Sequence, residues 1–158
     1  MAKAVSLNGI EKLNLSGSPL YGIRKVLTGA QTLAVEDSGA LCLWNTAAGY
    51  TFTLPTAVKG VWYEFVVHTT ITSSAAKVIT ASASEFIVGT YEQATDGTYT
   101  VAARAADGTT IRAWSGNGST TGGIVNDRFT LTAISSTQWF IQGRGNATGS
   151  EATPFATS

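Results

Sequence analysis

The sequence predicts an all-β fold, a single antiparallel β-sandwich or barrel-like domain, and three observations carry the prediction. Apolar and polar residues alternate with period two in several short runs, most plainly across residues 50–54. Turn-forming dipeptides, among them Asp96-Gly97 and Asp107-Gly108, separate strand-like runs at intervals of about 8–12 residues. No stretch within residues 31–143 carries the 3.6-residue period of an amphipathic helix. A chain of 158 residues is long enough for one domain with its own core. The expected division is an N-terminal arm over residues 1–31, a β-domain over 32–143 and a C-terminal tail over 144–158.

The arm has only a mixed periodicity, in Val5, Leu7, Ile10, Leu13 and Leu15, and Ser16-Gly17-Ser18-Pro19 breaks it. It holds Lys3, Lys12, Arg24 and Lys25 against Glu11 alone, a net of +3 in a chain whose formal charge is zero. A positive end of this kind suits an acidic surface, so these four cations are the candidate attachment residues. The plainer alternative is that the arm adds a strand to its own sheet.

The β-domain reads as follows. Tyr50, Phe52 and Leu54 alternate with Thr51 and Thr53 until Pro55 ends the run. Lys59-Gly60 then turns the chain into residues 61–67, whose odd positions Val61, Tyr63, Phe65 and Val67 are all apolar and face a core. The even side sets Trp62 and Val66 around Glu64, a face too apolar to be left to water. Trp62 and Val66 are therefore the candidate oligomer-interface residues. Asp-Gly pairs favour type I′ hairpin turns, so residues 86–93, 98–104 and 110–114 are expected to form a three-stranded meander. Residues 129–134 and 138–141 form a further hairpin about Ser135-Ser136. The count is about nine or ten strands, with Leu54, Tyr63, Phe65, Leu131, Ala133 and Ile141 in one core and Thr51, Thr53, Thr130 and Thr132 on the opposite faces. The tail is poor in apolar groups until Phe155.

Composition narrows the function. Charged residues make up 13% of the chain, where about 25% is usual. With no positive excess, a non-specific nucleic-acid binder is disfavoured. Apolar runs such as Val61-Trp62-Tyr63 fall far short of the roughly 20 residues that cross a bilayer, and residues 1–20 hold no continuous apolar stretch of the secretory-signal type. The single cysteine, Cys42, lies in the apolar run Leu41-Cys42-Leu43-Trp44 and reads as a small core residue. His68 is the only histidine, and no nucleophile elbow or zinc-ligand spacing accompanies it. The glycine-rich stretch 116–123 has Thr121 where a dinucleotide fingerprint needs its third glycine, and it leads into strand-like residues rather than a helix. Glu36, Glu64, Glu85 and Glu92 form no carboxylate pair that sequence can identify. Asn146-Ala147-Thr148 matches a glycosylation acceptor with no secretion signal to give it meaning. Trp44, Trp62, Trp114 and Trp139 each sit in a strand-like run and read as core or interface rather than as a stacking platform. No enzyme activity, cofactor or metal is expected.

One resemblance extends over residues 40–143. The run Ala47-Ala48-Gly49-Tyr50-Thr51-Phe52-Thr53-Leu54-Pro55, followed by Gly60-Val61-Trp62-Tyr63-Glu64-Phe65, resembles a stretch in small β-rich virion proteins of tailed bacteriophages. So does the later set Gly122-Gly123, Asp127, Leu131, Trp139 and Gly143. The resemblance implies a capsid decoration (cement) protein, usually a trimer on the outer head surface, with the major capsid protein as partner. The alternative reading is a tail-fibre or receptor-binding module that binds host surface glycans.

Overall fold

The computed structural model describes residues 24–95 and 100–158, in which two β-sheets stack as a sandwich. The strands are β1 (Val26–Thr28), β2 (Gln31–Thr32), β3 (Leu41–Trp44), β4 (Thr51–Thr53), β5 (Trp62–Val67), β6 (Ala76–Ile79), β7 (Phe86–Thr95), β8 (Val101–Asp107), β9 (Ala113–Gly116), β10 (Arg128–Ala133), β11 (Gln138–Ala147) and β12 (Phe155–Ala156). One sheet has the order β1-β3-β5-β10-β11-β7-β8, the other β12-β9-β6-β4-β2. A single 3-10 turn, Val35–Asp37, is the one helical element among the described residues.

The sandwich is as expected, but its pairing is mixed rather than antiparallel. From β1 to β6 the chain crosses from one sheet to the other at every step. Each strand therefore runs parallel to its neighbour in the same sheet, β1 to β3 to β5 and β2 to β4 to β6. Only the later part forms hairpins, β7 with β8 and β10 with β11. The first two strands of the expected meander do pair, although the Asp96-Gly97 turn between them lies outside the described residues. The third does not join them: β9 pairs with β6 and β12 in the other sheet. At Asp107-Gly108 the Asp107 carboxylate accepts from the amides of Thr109, Thr110 and Ile111 at 2.8–3.1 Å. These bonds curl the chain away from the sheet instead of closing a hairpin.

Strand structure extends past both expected boundaries. Residues 26–28 and 31–32 already belong to the sheets, the outcome anticipated by the plainer view of the arm. The tail carries the end of β11 and then β12, where Phe155 pairs with Trp114.

The core lies between the sheets and is built on aromatic rings. Trp44 is flanked by Phe52, Trp114, Phe65 and Phe129 at centroid distances of 5.3–6.3 Å, and Phe65 stacks on Phe129 at 5.1 Å. Burying each such side chain is worth about 1.5–3 kcal/mol over leaving it exposed. All six residues expected in the core are buried, and Thr51, Thr53, Thr130 and Thr132 alternate with buried neighbours. Polar atoms on the rings are bonded where the strands allow: Trp44 Nε1 donates to Tyr50 O at 2.8 Å, Tyr63 Oη to Ala34 O at 2.7 Å, and Trp139 Nε1 to Glu85 Oε2 at 3.3 Å.

Candidate functional site

Strand pleating places every second residue of β5, β10, β11 and β7 on the outer face of the seven-stranded sheet, and the register lines them up in rows. The first row is Trp62, Thr132, Phe140 and Val88. The second is Glu64, Thr130, Gln142 and Thr90. The third is Val66, Arg128, Arg144 and Glu92. No element among the described residues covers this face, and Trp62 and Phe140 are each 39% exposed. Exposed Val58 and Ile134 lie at the same end, where Gly60 N donates to Ala133 O and Ala133 N to Val61 O, each at 2.8 Å. The two candidate interface residues share the face but not the row: Trp62 stands in the apolar one, and half-buried Val66 begins the charged one.

Glu64 organises the region between them. It is 8% exposed and forms ion pairs with both Arg24 and Arg128. Burial alone would raise its carboxyl pKa, but hydrogen bonds and charge from Arg24, then Arg128, outweigh burial and hold it below the ordinary glutamate range. Arg24 also donates its Nε to Gly39 O at 2.6 Å, and its guanidinium lies 5.1 Å above the Trp62 ring. Lys25 pairs with Asp37. Two of the four candidate attachment cations are thus engaged with the body of the domain, while Lys3 and Lys12 lie outside the described residues.

Three residues of the late motif, Gly122, Gly123 and Asp127, meet in a buried node. Asp127 Oδ2 accepts from the amides of Gly123 at 2.8 Å and Ile124 at 3.2 Å, while Oδ1 accepts from the Asn146 amide at 2.8 Å. Burial raises the Asp127 pKa despite these bonds, and burial followed by the Asp127 charge raises that of the neighbouring Tyr91 phenol. Gly123, at φ +83°, leaves no room for a side chain, because a Cβ there would lie 2.8 Å from the Gly116 and Gly118 backbone. The glycine-rich stretch is accordingly an ordered turn. Asn117 Oδ1 accepts from the Ser119 and Thr121 amides, and Gly118 N donates to Gly122 O. Its amides are thus spent on Asn117 Oδ1, Gly122 O and the Asp127 carboxylate, which is a structural use.

The remaining candidates are dispersed. Cys42 is fully buried in β3, where burial pushes its thiol pKa up to about 12, and His68 is exposed beyond β5. Trp44, Trp114 and Trp139 are core residues. Glu85 is buried against the Trp139 indole and the Ala57 amide, whereas Glu36 and Glu92 are exposed. Among the described residues no three His, Cys, Asp or Glu side chains gather as metal ligands. Sequence reasoning missed Arg128 and Arg144, which face each other across the β10–β11 hairpin. The signal was present in its alternation, since Arg128 continues the Thr130 and Thr132 face. Comparison with protein families, with curated proteins and with solved structures finds no match to this chain.

Proposed function

We propose that this chain is a non-enzymatic structural protein of a tailed-phage virion that decorates and stabilises the outer capsid surface as an oligomer, with a trimer as the expected state. The observation that carries the proposal is the partly exposed row Trp62–Phe140–Val88, covered by no element among the described residues, on a sandwich of low charge. Exposed aromatic side chains gathered on one sheet face favour a protein contact, and a closed oligomer is the common way to bury them. The phage resemblance over residues 40–143 supports the same conclusion.

Its partners are then further copies of the chain and the major capsid protein. With Arg24 and Lys25 held by Glu64 and Asp37, the charge proposed to meet an acidic shell rests on Lys3 and Lys12. Quantitative mass spectrometry of purified particles tests the assignment. Hundreds of copies per virion fit decoration, whereas a few copies would transfer the chain to the tail-fibre class. A truncated chain lacking residues 1–20 is expected to fold and associate but to leave undecorated heads bare.

A further inference from the structure

Three of the four sheet edges are guarded by shortness: β1 has three residues, and β2 and β12 have two each. β8 is different. It closes the seven-stranded sheet with seven residues and bonds to a neighbour, β7, along one side only. Thr95 N donates to Thr100 O and Gly108 N to Ile87 O, which fixes the phase of the ladder. Bonded and non-bonded positions alternate in an antiparallel pair. The even residues of β8 therefore bond to β7, while Val101, Ala103 and Ala105 turn N–H and C=O outward. All three are exposed, and these outward groups have no partner among the described residues.

A long edge is ordinarily protected by lysine, proline, a bulge or a covering segment. β8 contains neither lysine nor proline, its register with β7 is unbroken, and no described element lies along its free side. Its one cation, Arg104, sits on the opposite face and donates its Nε to Gln93 Oε1 at 3.0 Å. Val101, at 61% the most exposed large apolar side chain described, stands on the outward set. A foreign peptide that joins an edge is selected by pockets for its alternate side chains. Alanines at 102, 103, 105 and 106 form no such pockets, but they let an identical strand lie flat alongside. We infer that β8 pairs antiparallel with β8 of a second copy about a two-fold axis at Ala103, carrying the seven-stranded sheet from one protomer into the next. The neighbouring registers fail. An axis at Arg104 would set two arginines directly opposite each other. An axis at Ala105 needs strand beyond Asp107, where the carboxylate curls the chain away through the amides of Thr109, Thr110 and Ile111. The axis at Ala103 sets Val101 against Ala105 of the other copy and covers it. A strand pair this short buries less than the roughly 1,200 Å² of a lasting complex. The contact is accordingly weak between free protomers and strengthens where several copies are already gathered. It is separate from the Trp62 row and independent of where in a virion the chain resides.

Disulfide trapping and hydrogen exchange on the full chain test the pairing. Across the axis the two Ala103 Cα atoms would lie about 5.5 Å apart, within the span of a disulfide. Ala103→Cys should therefore cross-link into a dimer on mild oxidation. Ala105→Cys, whose two copies would lie about 14 Å apart, should not, and fully buried Cys42 does not compete. In the unaltered chain the amides of Val101, Ala103 and Ala105 should exchange at least about fivefold more slowly at millimolar than at micromolar protein. Ala103→Pro removes one outward N–H and leaves the β7 ladder intact, so it should abolish this concentration dependence. Ala103→Lys, which keeps the backbone and sets two cations opposite each other, should do the same. The cross-link should persist in a Trp62→Ala background, which separates it from the contact through the outer face. Edge pairing is overturned if Ala103→Cys cross-links no faster than Ala105→Cys or loses its cross-link with Trp62→Ala. It is equally overturned if the three amides are unprotected, if their protection is the same at every concentration, as an occupant from within the chain would give, or if both folded variants retain it.

Discussion

Glu64 couples two guanidinium groups to one buried carboxylate, and its titration is therefore written into the stability of the fold. Its pKa in the folded protein lies below the ordinary glutamate value. The ion pairs accordingly stabilise the fold above that ordinary value, and their contribution is lost as pH falls through the lowered one. Glu64→Gln should cost about 1–2 kcal/mol at pH 7, a buried-pair loss discounted for the partly exposed arginines. Urea unfolding at pH 7 and pH 3 checks both points, because the gap between variant and parent should shrink at the lower pH. Gly145 is constrained by close approach: a Cβ there would overlap the Tyr91 hydroxyl and the Asp127 carboxylate. Gly145→Ala should destabilise by about 1–3 kcal/mol, with loss of the near-ultraviolet signal of the packed aromatics at lower temperature. Phe65→Ala, which empties the centre of the ring cluster, should cost roughly 3–5 kcal/mol.

At the scale of elements, the alternation in β4, β5 and β10 was enough to identify the core residues, because a half-buried strand imposes period two on its own sequence. Sheet membership was much less legible. A loop that crosses between layers and a hairpin turn are similarly short, and Asp-Gly serves either. At Asp107-Gly108 the Asp107 carboxylate decides the matter by capping three successive amides, a contact that depends on side-chain geometry rather than on dipeptide identity. Trp62 stood out because it broke the polar side of a strand. Arg128 and Arg144 did not, since charges on an outward face are unremarkable until the hairpin register makes them neighbours. β5 is held on both sides, by β3 and β10, whereas β1 is an edge strand of three residues. Hydrogen exchange should consequently find the amides of Trp62–Val67 protected to near the global unfolding free energy and those of Val26–Thr28 much less so. Equal protection in the two segments would sink this ranking.

For the whole molecule, association and stability should separate cleanly. Trp62→Ala removes an exposed ring from the proposed contact while leaving the core untouched. It should weaken self-association by about 2 kcal/mol or more, roughly thirtyfold in dissociation constant. Light scattering across a dilution series reads this directly, and a parent protein that remains monomeric at micromolar concentration would remove the basis for the oligomer. The position of β11 has a different consequence, one that concerns time. This strand lies between β10 and β7 in the seven-stranded sheet, yet it is formed by residues 138–147. On the ribosome, β3 and β5 emerge long before the strand that joins the two halves of their sheet. At about 5–20 residues per second, the roughly 80 residues between the end of β5 and the end of β11 take some 4–16 s to synthesise. Throughout that interval the aromatic residues of the core have no complete fold to enter. A nascent chain stalled before β11 should remain protease-sensitive, whereas the released full chain should resist the same protease.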